Sequence, residues 1–383
     1  MTAPVDRRSI LLGAAAASML GAGARAEPLS EADLATILRQ RVDVEKRSVG
    51  MAAALISQRN YRVVCYGRER SADDHKVSGE TLFEIGSITK IYTALLLTGL
   101  ARDGLLGIDD PADKHLPEDF KLPERDGRRI TLADLATHTA GLPRFPPMKG
   151  SIFEAMHSYS LAELKSWLAD FKLPRAPGSG WEYSNLGYCL LALALSHRAN
   201  RSYEELLTQR IFAPIGLTST FLRSPLQASA RVAQDHDAKL NPMPSWDGGI
   251  FASAGGLWAS TGDLARFVQA VMPGSGSSLE PSARLLLQTL RPAPPAGGQQ
   301  ALGWEVLPAQ EGDYVSKDGV VGGQCATAVF DPAGRVGVVV LSNTAPKFTV
   351  ANTSPSGGGV GAADVARHVL RPSIALGSEQ ATR

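Results

Sequence analysis

Apolar and polar positions along this chain follow two periods, and the stretches carrying each are segregated. Gly50 to Ile56 and Tyr61 to Tyr66 are strand-like and are joined by the polar run Ser57-Gln58-Arg59-Asn60, which predicts an antiparallel hairpin. Leu302 to Val306, Cys325 to Phe330 and Val336 to Leu341 are strand-like again, the last two joined by Asp331-Pro332-Ala333-Gly334. Helical spacing occupies the flanks. Ser30 to Arg47 places Ala32, Leu34, Ile37, Leu38 and Val42 on one face, and Ala362 to Leu370 predicts a terminal helix. Between the strand groups, Phe83 to Gly104 has the length and near-continuous apolarity of a helix buried on most sides, with Gly86 permitting a sharp entry and Gly104 suiting a left-handed C-cap. Leu186 to His197 predicts another helix. The pattern implies an α+β protein: one antiparallel sheet built from both chain ends, with terminal helices against it and a mainly helical insertion. Residues 27–82 and 301–372 would form the sheet part, 83–300 the insertion and 373–383 a tail. Pro143 to Gly150, Pro292 to Gly298 and Ser354 to Gly361 are Pro-rich or Gly-rich and predict loops.

The first 26 residues change where the protein is expected to act. Arg7-Arg8 precede an apolar Ala/Gly-rich run, Ile10 to Ala24, and a small-x-small end at Ala24-Arg25-Ala26, the pattern of a twin-arginine export signal. The run is short for a membrane span, so the expected mature chain starts near Glu27, spans no membrane and is periplasmic or secreted, the alternative being an uncleaved N-terminal anchor. Of the 383 residues, 44% are hydrophobic and 20% charged, the balance of a globular enzyme. A net charge of +1 gives no electrostatic case for nucleic acid or an anionic membrane. Cys65, Cys189 and Cys325 are too few for a disulfide framework and sit in apolar segments, where cysteine serves as a small buried hydrophobe. The seven histidines show no His-x-x-x-His spacing and the cysteines no Cys-x-x-Cys, so neither metal nor cofactor is expected.

Three short motifs carry candidate chemistry. Ser87 and Lys90 stand three residues apart, on one face of a helix start. A serine hydroxyl becomes a useful nucleophile when a neighbouring base takes its proton, and a lysine is such a base only when burial or nearby cations lower its pKa. Tyr183-Ser184-Asn185 precedes the predicted Leu186 helix; in an extended segment the phenol and the amide point the same way, one to relay a proton and one to bind a carbonyl. Taken alone, the triplet equally suits a turn with a helix-capping asparagine. Lys317-Asp318-Gly319 offers a cation and a bare backbone approach near a strand edge. Each motif alone carries little weight; a second cation beside Lys90 would lower its pKa, so together they support one another.

In this order, Ser-x-x-Lys, Tyr-Ser-Asn and Lys-x-Gly followed by Gly322-Gly323 resemble the motifs of class C serine β-lactamases and the related penicillin-binding DD-peptidases and esterases. Phe83-Glu84-Ile85-Gly86-Ser87 is similar to the surroundings of that family's nucleophile. His138-Thr139-Ala140-Gly141-Leu142-Pro143 is similar to a loop widespread in it, although by its residues it is a turn in which His138 packs. The likeness runs from about Val49 to Leu370 and implies the β-lactamase/transpeptidase-like fold. It implies that Ser87 is acylated, that Lys90 and Tyr183 share the acid–base work, that Asn185 holds the substrate amide and that Lys317 supports the charge network. It implies an oxyanion hole from the backbone N–H groups of Ser87 and Val320, and substrate contacts at Asp318 and Gly319. The family's usual threonine is replaced by Asp318. A carboxylate pointing into the site would repel an anionic substrate by about 1 to 4 kcal/mol at roughly 4 Å; an ion pair with Lys317 or an arginine would leave the site's charge little changed. The resemblance implies, in order, hydrolysis of β-lactam amides, a DD-carboxypeptidase or endopeptidase acting on peptidoglycan peptides, a carboxylesterase, and a penicillin-binding sensor that acylates and stops. The expected partner is a small molecule or a peptidoglycan peptide.

Overall fold

The computed structural model describes residues 29–149, 152–222, 231–245, 247–292, 298–345 and 361–376. The expected export segment lies outside them, as do most of the predicted loops at 292–298 and 354–361 and most of the tail.

The described residues form eleven strands: β1 Gly50–Ser57, β2 Tyr61–Gly67, β3 Leu82–Glu84, β4 Thr220–Phe221, β5 Trp258–Ser260, β6 Arg291–Pro292, β7 Gln299–Gln300, β8 Glu305–Leu307, β9 Tyr314–Val320, β10 Cys325–Phe330 and β11 Val336–Ser342. Eight of them form one antiparallel sheet in the order β2-β1-β11-β10-β9-β8-β7-β6, so the first hairpin joins the last strand of the chain. Successive side chains on a strand face opposite sides, and the sheet uses this cleanly. Met51, Ala53, Val338 and Val340 pack under the terminal helices Glu31–Arg39 and Ala362–Leu370, while Ala52, Ala54, Val339 and Leu341 face the helical part of the molecule. Two covered faces explain why β1 and β11 are apolar almost throughout.

Four local expectations are corrected. The predicted Phe83–Gly104 helix is divided: β3 pairs with β5, a tight 3₁₀ turn spans Gly86–Ile88, and the helix proper is Thr89–Arg102. The break falls at Gly86, whose φ of +51° an L side chain adopts only under strain. β3, β4 and β5 make a second, three-stranded sheet that the apolar pattern does not announce, because its strands are two or three residues long. Tyr314–Val320 is a full strand of the main sheet, and the predicted Leu302–Val306 strand starts only at Glu305. The first helix ends at Arg39 and continues as a wider π turn over Gln40–Val44.

The Thr89–Arg102 helix is the centre of the larger core. Every residue from Thr89 to Thr98 is buried, so it has no solvent face and relies on neighbours on all sides. Cys65, Cys189 and Cys325 are unpaired, and burial raises their thiol pKa values to about 11, 12 and 11, leaving little thiolate at neutral pH.

Candidate active site

Three segments far apart in sequence meet where the Thr89–Arg102 helix begins. Ser87 lies in the 3₁₀ turn ahead of it, half-buried, and Lys90 lies one turn on with no solvent exposure. Lys90 Nζ donates to Ser87 Oγ at 3.0 Å, to Asn185 Oδ1 at 2.7 Å and to the carbonyl of Ala254 at 2.6 Å. The Tyr183 hydroxyl donates to Ser87 Oγ at 2.6 Å. Asn185 is the first residue of the Asn185–Ala199 helix rather than a loop residue, and the Ser184 side chain caps that helix by accepting from the Gly187 N–H.

The Tyr183 segment is held by the loop that begins at His138. His138 adopts φ +61°, its carbonyl accepts from the Glu182 N–H at 2.8 Å, and its Nδ1 accepts from the Ser184 N–H at 3.1 Å. An accepting Nδ1 places the ring proton on Nε2. Burial first, then the cations Lys317, Lys90 and Arg144, hold the imidazole far below its ordinary pKa, so it is neutral. Its ring lies 4.4 Å from that of Tyr183. Further along the loop, the carbonyl of Pro143 accepts from the Ser184 hydroxyl, and that of Arg144 accepts from the N–H groups of Asn185 and Leu186.

Strand β9 closes the other side. An added Cβ at Gly319 would stand 2.0 Å from the Ile85 oxygen and 3.0 Å from the Ser87 nitrogen; one at Gly86 would stand 2.8 Å from the Val320 nitrogen. Only a pair of glycines lets strand and turn touch this closely. The Val321 N–H bonds the Gln324 carbonyl, and adjacent antiparallel pairs alternate, so Val320 and Cys325 form a non-hydrogen-bonded pair. The Val320 N–H is therefore directed away from β10, towards the edge facing Ser87, and β8 pairs with β9 only as far as Ser316.

Lys317 and Asp318 part company, as neighbours on a strand must. Lys317 Nζ is buried, bonds Glu305 at 3.1 Å and lies 5.3 Å from the Tyr183 ring centre. Burial alone would lower its pKa, but Glu305 and Tyr183 raise it overall, so it remains a cation. Asp318 is turned to the opposite face, where its carboxylate accepts from Thr327 at 3.0 Å and pairs with Arg367 of the terminal helix. The expected substrate contact at Asp318 is therefore not made by its side chain; the arginine pair is the arrangement found. Replacing Asp318 with threonine leaves the Arg367 guanidinium, 8% exposed, without its carboxylate. The expected result is a loss of about 3 kcal/mol in stability, read by thermal or urea unfolding, with no gain in preference for anionic substrates.

Electrostatics concentrate on one phenol. Lys90 is pulled down to about 8 by burial, with Lys317 and Arg144 adding to the effect and Tyr183 opposing it. Burial would raise Tyr183, but Lys90, Lys317 and Arg144 outweigh it and bring the phenol to about 8 as well. Two groups poised together near neutrality, sharing one serine hydroxyl, can exchange a proton with it at little cost.

A family model described as Beta-lactamase matches residues 34–354. The chain belongs to the β-lactamase family. It is a serine hydrolase of that family. It is similar to the D-alanyl-D-alanine-carboxypeptidase/endopeptidase AmpH of Escherichia coli K12, 28% identical over 91% of this chain and 94% of the relative. It is 29% identical to a β-lactamase of Pseudomonas fluorescens over 86% of this chain and 89% of the other. Among solved structures, a β-lactamase/D-alanine carboxypeptidase from Yersinia pestis in complex with citrate superposes with a TM-score of 0.74 at 25% identity, covering 90% of this chain and 99% of that one. The β-lactamase/transpeptidase-like fold expected from the motifs is the fold found.

Several residues that build or flank this β-lactamase-family site lie outside the sequence motifs. Glu305, Arg367 and the Ala254 carbonyl have no local signature, since each matters only through a partner 12 or more residues away. Arg144 did have a signal: it directly follows the His138–Pro143 loop.

Proposed function

We propose that this protein is a DD-carboxypeptidase or endopeptidase that cleaves peptidoglycan peptides through an acyl-enzyme on Ser87, and that penicillins acylate the same hydroxyl. The carrying observation is the convergence of the Tyr183 hydroxyl and the Lys90 ammonium on Ser87 Oγ, at 2.6 and 3.0 Å. Both donate to the serine when both are protonated. Once either loses its proton, the serine O–H donates to it and the oxygen can attack a carbonyl carbon. The tetrahedral oxyanion would be met by the N–H groups of Ser87 and Val320. Collapse breaks the C–N bond, and the proton taken from Ser87 passes to the departing amine through Tyr183 or Lys90. Water then attacks the serine ester by the reverse proton path, releasing the acid and restoring Ser87. Asn185, fixed by Lys90 and by the start of its helix, is placed to hold the substrate amide.

The peptidase reading is favoured by AmpH, which matches over a larger share of both chains than the P. fluorescens β-lactamase does. β-Lactam hydrolysis is the second reading, favoured by the P. fluorescens relative and by the same acylation chemistry. Side-by-side turnover of an N-acyl-D-Ala-D-Ala peptide, a chromogenic cephalosporin and a short-chain aryl ester separates them. The peptidase reading expects the highest kcat/KM on the peptide; faster turnover of the cephalosporin establishes the second reading instead, and turnover of the ester alone removes both.

The pH dependence has a fixed sign. Below about pH 8 both Lys90 and Tyr183 hold their protons and Ser87 has no acceptor. The rate constant kcat/KM is expected to climb roughly tenfold per pH unit on the acid side and to level off above about 8. A plateau extending down to pH 6 would contradict a base that titrates near 8.

A further inference from the structure

We infer that Arg144 is the residue that recognises a carboxylate of the substrate beside the scissile bond, a role that rests on the acyl-transfer reading above. The buried cations of this molecule show what is unusual about it. Lys317 is paired with Glu305, Arg367 with Asp318, and Arg41 with Glu45 and Asp364, while Lys90, which has no carboxylate, gives its donors to Ser87, Asn185 and the Ala254 carbonyl. Arg144 is half-buried, and among the described residues no carboxylate pairs with it. Its guanidinium instead lies over the Tyr183 ring, 4.8 Å from the centroid. A guanidinium left partly desolvated without an anion is held at a cost unless a ligand supplies the missing partner, and its planar fork matches a carboxylate in two parallel hydrogen bonds.

The mount is rigid where it needs to be. The Arg144 carbonyl accepts from Asn185 and Leu186, and the preceding Pro143 carbonyl accepts from Ser184, so the backbone that carries the guanidinium is fastened to the segment that carries Tyr183 and Asn185. The charge pattern supplies the need. The hydroxyl expected two residues before Val320 is replaced by Asp318, whose side chain is on the other face of the sheet. Lys317 is already engaged by Glu305, and Lys90 by Asn185 and the Ala254 carbonyl. Among the described residues, Arg144 is the cation against Tyr183 that no carboxylate or carbonyl engages, so an anionic substrate group near the reacting carbonyl would be met by it.

The test compares substrate pairs of which one member carries a carboxylate and the other does not. The first pair is N-acyl-D-Ala-D-Ala and its C-terminal amide, which places the carboxylate on the leaving group. The second is the 4-nitrophenyl monoesters of glutaric and butyric acid, which place it on the acyl part or omit it. For each pair the ratio of kcat/KM, anionic over neutral, is measured in the wild type, Arg144→Gln and Arg144→Lys. The inference expects the ratio of at least one pair to fall tenfold or more in Arg144→Gln, chiefly through KM, and to recover partly in Arg144→Lys. A fall in the ester pair alone would place the recognised carboxylate on the acyl side. Ratios unchanged in both pairs, with the wild type active, overturn the role of Arg144 and leave acyl transfer standing. Loss of acyl transfer itself would show as wild-type turnover that survives Ser87→Ala, an outcome independent of the ratios.

Discussion

Ser87→Ala is expected to reduce turnover of every substrate by a factor of about 10⁶, the size found when the nucleophile of an acylating serine hydrolase is removed. The size follows from what is lost. Ser87 Oγ is the atom that would bond the acyl group, and Lys90 and Tyr183 both converge on this oxygen. The fold should survive. Ser87 is half-buried, and the change deletes one small polar atom that accepts two hydrogen bonds, worth about 1 kcal/mol each. A variant with a near-native melting temperature and no turnover is therefore the expected outcome. Retention of more than a few per cent of the wild-type rate would mean that the chemistry lies elsewhere.

The second large effect is expected at Lys90, where stability and activity should move independently. Lys90 is fully buried, and its depressed pKa records that the fold disfavours the ammonium. Methionine has nearly the same length and carries no charge to desolvate. Lys90→Met removes that penalty while leaving the Asn185 Oδ1 and Ala254 carbonyl acceptors unpaired, and these opposing changes should leave the unfolding free energy within about 1 to 2 kcal/mol of wild type. Activity should fall by about 10² to 10⁴, because the proton acceptor, or the cation that lowers Tyr183, is gone. Calorimetry and turnover on the same preparation read both. A parallel collapse of stability and rate would show that Lys90 holds the fold rather than the chemistry.

These two residues were legible in the sequence for a physical reason. A serine three residues before a lysine at the start of an unbroken apolar run fixes both their common direction and the lysine's burial, and burial is what sets its pKa. The same logic made the hairpin at Gly50 and the Ala362–Leu370 helix visible, since long elements display their period. It failed at Phe83, where the apolar character of β3 is indistinguishable from that of the helix it precedes. Only the close approach of Gly319 to Ile85 requires the chain to break at Gly86. It failed too at Asp318. The strand alternation that turns its carboxylate away from Lys317 is evident once Tyr314–Val320 is known to be a strand, but the charge alone suggests a place in the site. Arg144 and Glu305 acquire their meaning from neighbours brought near by folding, which no local pattern contains.

The proposed chemistry requires a covalent bond between substrate and Ser87. Rapid-quench intact-mass spectrometry with benzylpenicillin, followed by peptide mapping, looks for that bond. The predicted result is an adduct of the full penicillin mass on the peptide containing Ser87, formed within the first turnover and absent from Ser87→Ala. Acylation at another residue, or penicillin turnover with the Ser87 peptide unmodified at every quench time, would contradict it.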